Sequence, residues 1–155
     1  MHDMTQFSIF LVNKPGVLAS VCSELTRSRV NLIALTLVDS MEHGVLRIVC
    51  DKPDLAREVL GRTHDRWTET DVLVIELRNE PGAFASVAQV LADHHINISY
   101  AYATAGAAHG RTTAVFKVAD MKKAHKVLGA LDAKTTSDSP ATRKTPGGRK
   151  AGGRR

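Results

Sequence analysis

Asn13-Lys14-Pro15-Gly16 recurs as Asn79-Glu80-Pro81-Gly82, an offset of 66 residues (81 minus 15). With the two Pro-Gly pairs superposed, Leu11, Ala19, Ser20, Val21, Leu25 and Asn31 meet identical residues at Leu77, Ala85, Ser86, Val87, Leu91 and Asn97. Past the middle of each unit the offset widens: Val49-Cys50-Asp51 meets Val118-Ala119-Asp120, and Val59-Leu60 meets Val127-Leu128. The second unit therefore carries a longer hairpin, around Ala105 to Arg111. Two copies fall short of the three or more that a solenoid needs, so the chain reads as two paired domains sharing a core.

Both units run through the same periods. Phe7, Ile9 and Leu11 alternate as a half-buried strand does, and so do Leu73, Ile75 and Leu77. The Pro-Gly turn follows, with Pro suited to open a helix where its missing N–H costs nothing. Leu18, Val21, Cys22 and Leu25 then recur at three-to-four spacing, as do Phe84, Val87, Ala88 and Leu91, giving one apolar helix face per unit. Second strands are expected at Leu32–Val38 and Ile98–Ala103. Turns at Asp39–Gly44 and Ala105–Gly110 lead to third strands at Val45–Cys50 and Thr112–Val118. Second helices are carried by Leu55, Val59 and Leu60, and by Ala124, Val127, Leu128 and Leu131. This order predicts split βαβ units with both helices on one sheet face.

A unit of about 60 residues buries too little surface for more than marginal stability alone, so pairing helps both. Trp67–Thr70 offers the first unit a short fourth strand that can run straight into Val72–Leu77. After Leu131 the chain turns polar and shows no fourth strand for the second unit. An open edge of that kind must be covered, charged or paired.

The N-x-P-G turn, the apolar helix after it, and the segments Val30-Asn31-Leu32 and Ile96-Asn97-Ile98 together resemble the ACT domain family, over residues 6–131 in tandem. The resemblance implies an α+β fold of two tandem ferredoxin-like βαββαβ units, with antiparallel sheets and helices on one face. The expected division is 5–70, 71–131 and a disordered basic tail over 132–155. It also implies a regulatory module that binds amino acids or related metabolites between the first turn of one domain and the facing surface of its partner. Carried over by position, Asn13, Pro15, Gly16, Val17 and Asn31 form one half-site, and Asn79, Pro81, Gly82, Ala83 and Asn97 the other. The serine-binding members have a His two residues before the turn Asn, where this chain has Leu11 and Leu77, which counts against serine and leaves other amino acids open.

Physical chemistry supports a ligand turn on separate grounds. Glycine lets backbone approach a ligand, and the N–H groups at a helix start favour a carboxylate. A purely structural role is the alternative, since Asn caps helices, Gly supplies positive φ and Pro sets the helix entry. Tyr100 and Tyr102 share one strand face and suit either an amphipathic pocket or packing between the units. Phe10 and Val12, on the outer face of the first strand, meet Glu76 and Arg78 in the second unit, so the first unit's outer face is the more apolar and a candidate interface.

No catalytic constellation emerges, and the chain reads as a non-enzyme with no cofactor. No Cys or His cluster has metal-site spacing, and the aligned His43 and His109 each precede a Gly, as a repeated turn residue would. His94-His95 suit a helix end. Ser20 and Ser86 have no paired base and read as helix residues. Cys22 and Cys50 are two cysteines in a chain without an evident secretory signal, which favours reduced thiols and the cytoplasm.

The formal charge of +5 is unevenly placed. Residues 134–155 hold seven Lys or Arg against Asp138 alone, or +6 (7 minus 1), leaving −1 for the rest (5 minus 6). This Gly-, Pro-, Thr- and Ser-rich segment is expected to be disordered. It offers a weak nonspecific contact to nucleic acid, with simple solubilisation as the alternative, and it lacks the aromatics of a stacking platform. Apolar runs are too short to span a membrane. The partners expected are an amino acid or related metabolite, a second copy in a homodimer, and possible association with a separately encoded biosynthetic enzyme.

Overall fold

The computed structural model describes residues 1–38, 43–64, 66–104, 106 and 110–137. Five elements repeat in the same order. The first set is β1 (His2–Val12), α1 (Val17–Arg27), β2 (Leu32–Val38), β3 (His43–Cys50) and α2 (Pro53–Thr63). The second is β4 (Trp67–Arg78), α3 (Ala83–Asp93), β5 (Ile98–Ala103), β6 (Arg111–Val118) and α4 (Met121–Ser137). The tips of both hairpins, with His109 and the side chain of His43, lie outside the described residues, so the alignment of these two histidines does too.

All six strands form one antiparallel sheet in the order β2-β3-β1-β4-β6-β5. Its two long central strands each serve both units. In β4, Trp67–Thr70 and Val72–Leu77 run on as one strand, so the first half closes unit one and the second half opens unit two. In β1, the segment after Thr5 belongs to unit one. Before it, His2, Asp3, Met4 and Thr5 lie opposite Val74, Leu73, Val72 and Asp71. The fourth-strand position that the sequence leaves open in unit two is thus filled from the start of the chain. His2-Asp3-Met4-Thr5 carries no apolar alternation, because its pairing rests on backbone hydrogen bonds rather than a buried side-chain row.

The last helix also differs from expectation. α4 runs to Ser137, six residues past Leu131 (137 minus 131), so the start of the expected tail is helical. No Gly or Pro stands between Gly129 and Pro140 to stop it. Residues 138–155 lie outside the described residues.

The helices cover one sheet face. Phe7, Ile9, Leu46 and Ile48 meet Val21 and Leu25 of α1 and Val59 and Leu60 of α2. Leu73, Ile75, Ala114 and Phe116 meet Val87 and Leu91 of α3 and Ala124 and Leu128 of α4. No helix among the described residues is long and apolar enough to cross a membrane.

The other face closes on itself. Ala34, Val49, Val72, Val74 and Val115 form a third cluster, joined by Met4, Ile33 and Tyr102. β2 and β6 are four places apart in the sheet order, roughly 19 Å if the sheet were flat, yet their Cα atoms come within 8 Å. The sheet is therefore strongly coiled, bringing the two halves face to face. Gln6 sits at the centre with no exposure. Its Nε2 donates to the Tyr100 hydroxyl (2.7 Å) and to Ser8 Oγ (3.3 Å), and its Oε1 accepts from the Tyr102 hydroxyl (3.1 Å). The Arg47 guanidinium lies 4.2 Å from the Tyr100 ring centroid. Burial, with Tyr100 beside it, pushes the Tyr102 phenol pKa up, so the hydroxyl remains neutral and able to donate. Both tyrosines thus pack between the units.

Candidate functional site

The two glycine turns have one geometry. Each strand ends in a tight bend, with Lys14 N–H donating to Val12 O (2.9 Å) and Glu80 N–H to Arg78 O (2.9 Å). Gly16 then takes φ 87° and Gly82 φ 89°, both left-handed, and each is the N-cap of the helix after it. A side chain in that region costs about 1–2 kcal/mol. A Cβ at either glycine would meet no atom within 4 Å, so the requirement is dihedral rather than spatial. Because glycine occupies the cap, Pro15 and Pro81 stand before it and do not open the helix as the sequence suggests; the helices begin at Val17 and Ala83.

These helix starts carry no compensating charge. Neither α1 nor α3 has a side-chain cap or an acidic residue in its first turn, whereas α2 has Asp54 there. An anion placed at either turn would meet the positive end of the helix dipole and backbone N–H groups. The N-cap position itself is glycine, so the cap is not supplied by Asn13 or Asn79 from that position. Asn79 Nδ2 donates to Gly106 O (2.9 Å) and its backbone N–H to Gly110 O (2.9 Å), tying the second turn to the β5–β6 hairpin. Phe84, the second residue of α3 and half exposed, stacks on Phe116 with centroids 4.9 Å apart.

Asn31 and Asn97 occupy matching positions at the far ends of their helices. Asn31 N–H donates to Asp51 Oδ1 (2.8 Å) and Asp51 N–H returns to Asn31 O (3.1 Å), while Ala119 N–H donates to Asn97 O (3.0 Å). Each Asn follows a helix stop in which the residue two before it is left-handed without being glycine: Arg29 at φ 56° and His95 at φ 53°. Val30 N–H bonds back to Leu25 O and Ile96 N–H to Leu91 O, as in a Schellman stop.

Within one unit, then, Asn31 does not share a crevice with Asn13 and Gly16, nor Asn97 with Asn79 and Gly82. An eleven-residue helix, roughly 16 Å long, separates them. The sequence suggested one crevice because chain proximity does not show which end of a crossover each residue occupies. Strand directions place Asn97 at the sheet end that carries the first turn, and Asn31 at the end that carries the second.

Two open depressions border these elements. One, about 470 Å³, is lined by Ala88, Ala92, His95, Ile96, Asn97 and Ile98. The other, about 390 Å³, is lined by Phe10, Arg66, Trp67 and Thr68 where β4 starts beside the end of β1. Sequence reasoning missed Arg66 and Thr68 altogether; an isolated cation and hydroxyl at a strand start carry no pattern.

Among the described residues no group of three or more His, Cys, Asp or Glu could hold a metal. Ser86 Oγ donates to Gly82 O (3.0 Å), and the Ser20 hydroxyl faces Glu24 at 3.5 Å. Cys22 and Cys50 are free; burial pushes the Cys50 thiol pKa up, away from a reactive thiolate.

A family model described as an ACT domain pair matches residues 2–137. A solved protein from Bacteroides thetaiotaomicron is 33% identical, covering 84% of this chain and 89% of that one, with a TM-score of 0.77. The ligand-free regulatory subunit of aspartate kinase from Thermus thermophilus shares the fold at 16% identity, covering 88% of this chain and 94% of that one, with a TM-score of 0.63. The regulatory subunit of aspartate kinase from Thermus flavus does so at 16% identity, over the same shares, with a TM-score of 0.55. No curated protein matches the chain.

Proposed function

Because the chain belongs to the ACT domain family, we propose that it is a non-catalytic regulatory module that binds a small amino acid at its glycine turns and responds by changing how its units or chains pack. The observation that carries this reading is the pair of helix starts with a left-handed glycine, no side-chain cap and no first-turn acid. A carboxylate there would satisfy N–H groups that a helix start otherwise leaves to solvent. Ligand binding regulates only if it favours one arrangement over another, and the separation of each Asn from its own turn supplies that condition: a ligand touching both must bridge units or chains.

A homodimer meets the geometry. β2 and β5 are the free edges of the sheet. β2 has no charged residue, and Leu35, Leu37 and Val38 are 39%, 48% and 45% exposed, so this edge lacks the usual protection against pairing. Antiparallel pairing of β2 with a second copy would bring the start of one β2, with Asn31, to the end carrying the other copy's Asn13-Gly16 turn.

The test is thermal unfolding of the full chain against the twenty amino acids, since a ligand at 100 times its Kd stabilises by about 2.7 kcal/mol. A selective rise in Tm that Asn13→Ala or Asn79→Ala removes is the expected result. A flat panel at millimolar concentration rejects the sensor. It would favour the second reading, a regulatory subunit of a separately encoded amino-acid biosynthetic enzyme, which the shared fold with the Thermus aspartate kinase subunits supports. Co-purification with such an enzyme is its direct check.

A further inference from the structure

Charge is segregated along the chain. Residues 121–155 hold ten Lys or Arg against Asp132 and Asp138, or +8 (10 minus 2), which leaves −3 for residues 1–120 (5 minus 8). The excess begins on α4, and the repeat shows what is unusual there. Ala56 and Leu60 of α2 match Ala124 and Leu128 of α4: all four are buried, and Ala56 N–H and Ala124 N–H donate to Lys52 O and Asp120 O, each at 3.0 Å. In that register Asp54, Leu55 and Glu58 of α2 stand where α4 has Lys122, Lys123 and Lys126, and all six positions are exposed. The same solvent face thus carries two acids in unit one and three lysines in unit two.

Helix stability does not account for these lysines. Lys122 and Lys123 are the second and third residues of α4, at the positive end of its dipole, where an acid is favoured and a cation is not. Packing does not account for them either, because the side of α4 that meets the core carries Met121, Ala124, Val127 and Leu128. Farther along the sequence, the six cations of residues 138–155 come as three dibasic pairs, Arg143-Lys144, Arg149-Lys150 and Arg154-Arg155.

We propose that the lysine face of α4 and the dibasic segment after it act as one arm that binds the phosphate backbone of duplex nucleic acid. Charge complementarity sets the class of partner, since lysines and arginines that neutralise phosphates release the condensed counterions. Residues 121–155 contain no Phe, Tyr or Trp on which unpaired bases could stack, which favours a duplex over a single strand. A bilayer is disfavoured as well: the apolar side of α4 is spent on the core, and residues 138–155 hold no large apolar side chain to enter it. Phosphate contacts carry no base information, so binding is independent of sequence. The arm uses no residue of the glycine turns and stands whether or not they bind an amino acid.

The test is fluorescence anisotropy of a labelled duplex of about 20 base pairs, titrated with the full chain at salt concentrations from about 50 to 200 mM. Saturable binding is expected, equal for two unrelated sequences, with log K falling linearly against log salt. Each phosphate contact contributes about 0.9 to that slope, so combining Lys122→Gln, Lys123→Gln and Lys126→Gln should reduce it by about 3 and weaken binding about tenfold or more. These exposed changes should leave the melting temperature no lower than the parent's. Arg at the same three positions keeps the charge and should bind as the parent does. The proposal is overturned by an absence of saturable binding at the lowest salt, by a slope near zero, or by a triple Gln variant that keeps the parent's slope. Tighter binding to a single strand, or to phosphatidylserine vesicles at the same salt, would also overturn it.

Discussion

Replacing Tyr100 and Tyr102 together by Phe should destabilise the chain, and adding Gln6→Leu to that pair should restore most of the loss. The first change keeps both rings, including the face over which Arg47 lies, and removes only the two hydroxyls bonded to Gln6. Gln6 is wholly buried. Its Oε1 would lose the Tyr102 donor, and its Nε2 would keep only Ser8 at 3.3 Å. A buried polar atom left without its partner costs about 1–3 kcal/mol, so two of them, one partly compensated, cost about 2–4 kcal/mol. In the triple variant no amide remains to be satisfied, and a leucine in place of glutamine adds apolar contact with the neighbouring valines. Replacing the partners of a buried polar contact by apolar groups of similar shape is nearly neutral, and here only the Ser8 hydroxyl, at 9% exposure, loses its glutamine partner. The assay is urea unfolding followed by both far-UV circular dichroism and Trp67 emission, with m-values compared to verify that one transition is being measured. A triple variant no more stable than the double would refute the reasoning, because it would mean that the hydroxyls act other than through Gln6.

Four further outcomes follow from local geometry. Gly16→Ala and Gly82→Ala should each lower stability by about 1–2 kcal/mol through the left-handed φ alone, with Asn at the same position recovering part of it; thermal melts decide. Arg29→Gly and His95→Gly should raise Tm, since relief of left-handed strain of about 1–2 kcal/mol exceeds the entropy that glycine loses, about 0.5–1 kcal/mol. Glu69 receives two hydrogen bonds from Arg57 (2.6 and 2.7 Å), which hold its carboxyl below the usual range; its contribution is present at neutral pH and disappears as pH falls through its unfolded value of about 4.3 and below. Glu69→Gln should therefore lose less stability between pH 6 and 3 than the parent chain, as read from Tm against pH. Deleting residues 1–5 should uncover Val72 and Val74, and amide exchange in β4 and β6 should speed up more than in β2 and β3.

Repetition of the Pro-Gly turn, the alternation of Phe7, Ile9 and Leu11, and the helical spacing of Val21 and Leu25 are local patterns. They determined the element order, the helix-bearing face and the need for glycine at 16 and 82, because each depends on dihedral preference or side-chain period within about ten residues. Which strands pair is a different matter. His2–Thr5 became the missing strand of unit two because an unpaired β4 edge lay within reach, and backbone hydrogen bonding is nearly blind to side-chain identity. The coil of the sheet, the meeting of Gln6 with Tyr100 and Tyr102 from 94 and 96 residues away, and the convergence of Phe10 with Arg66 all arise from that pairing. The separation of Asn31 from Asn13 has the same origin. Eighteen residues apart in sequence (31 minus 13), they stand at opposite ends of α1, because a helical crossover carries the chain the length of the sheet before the next strand begins.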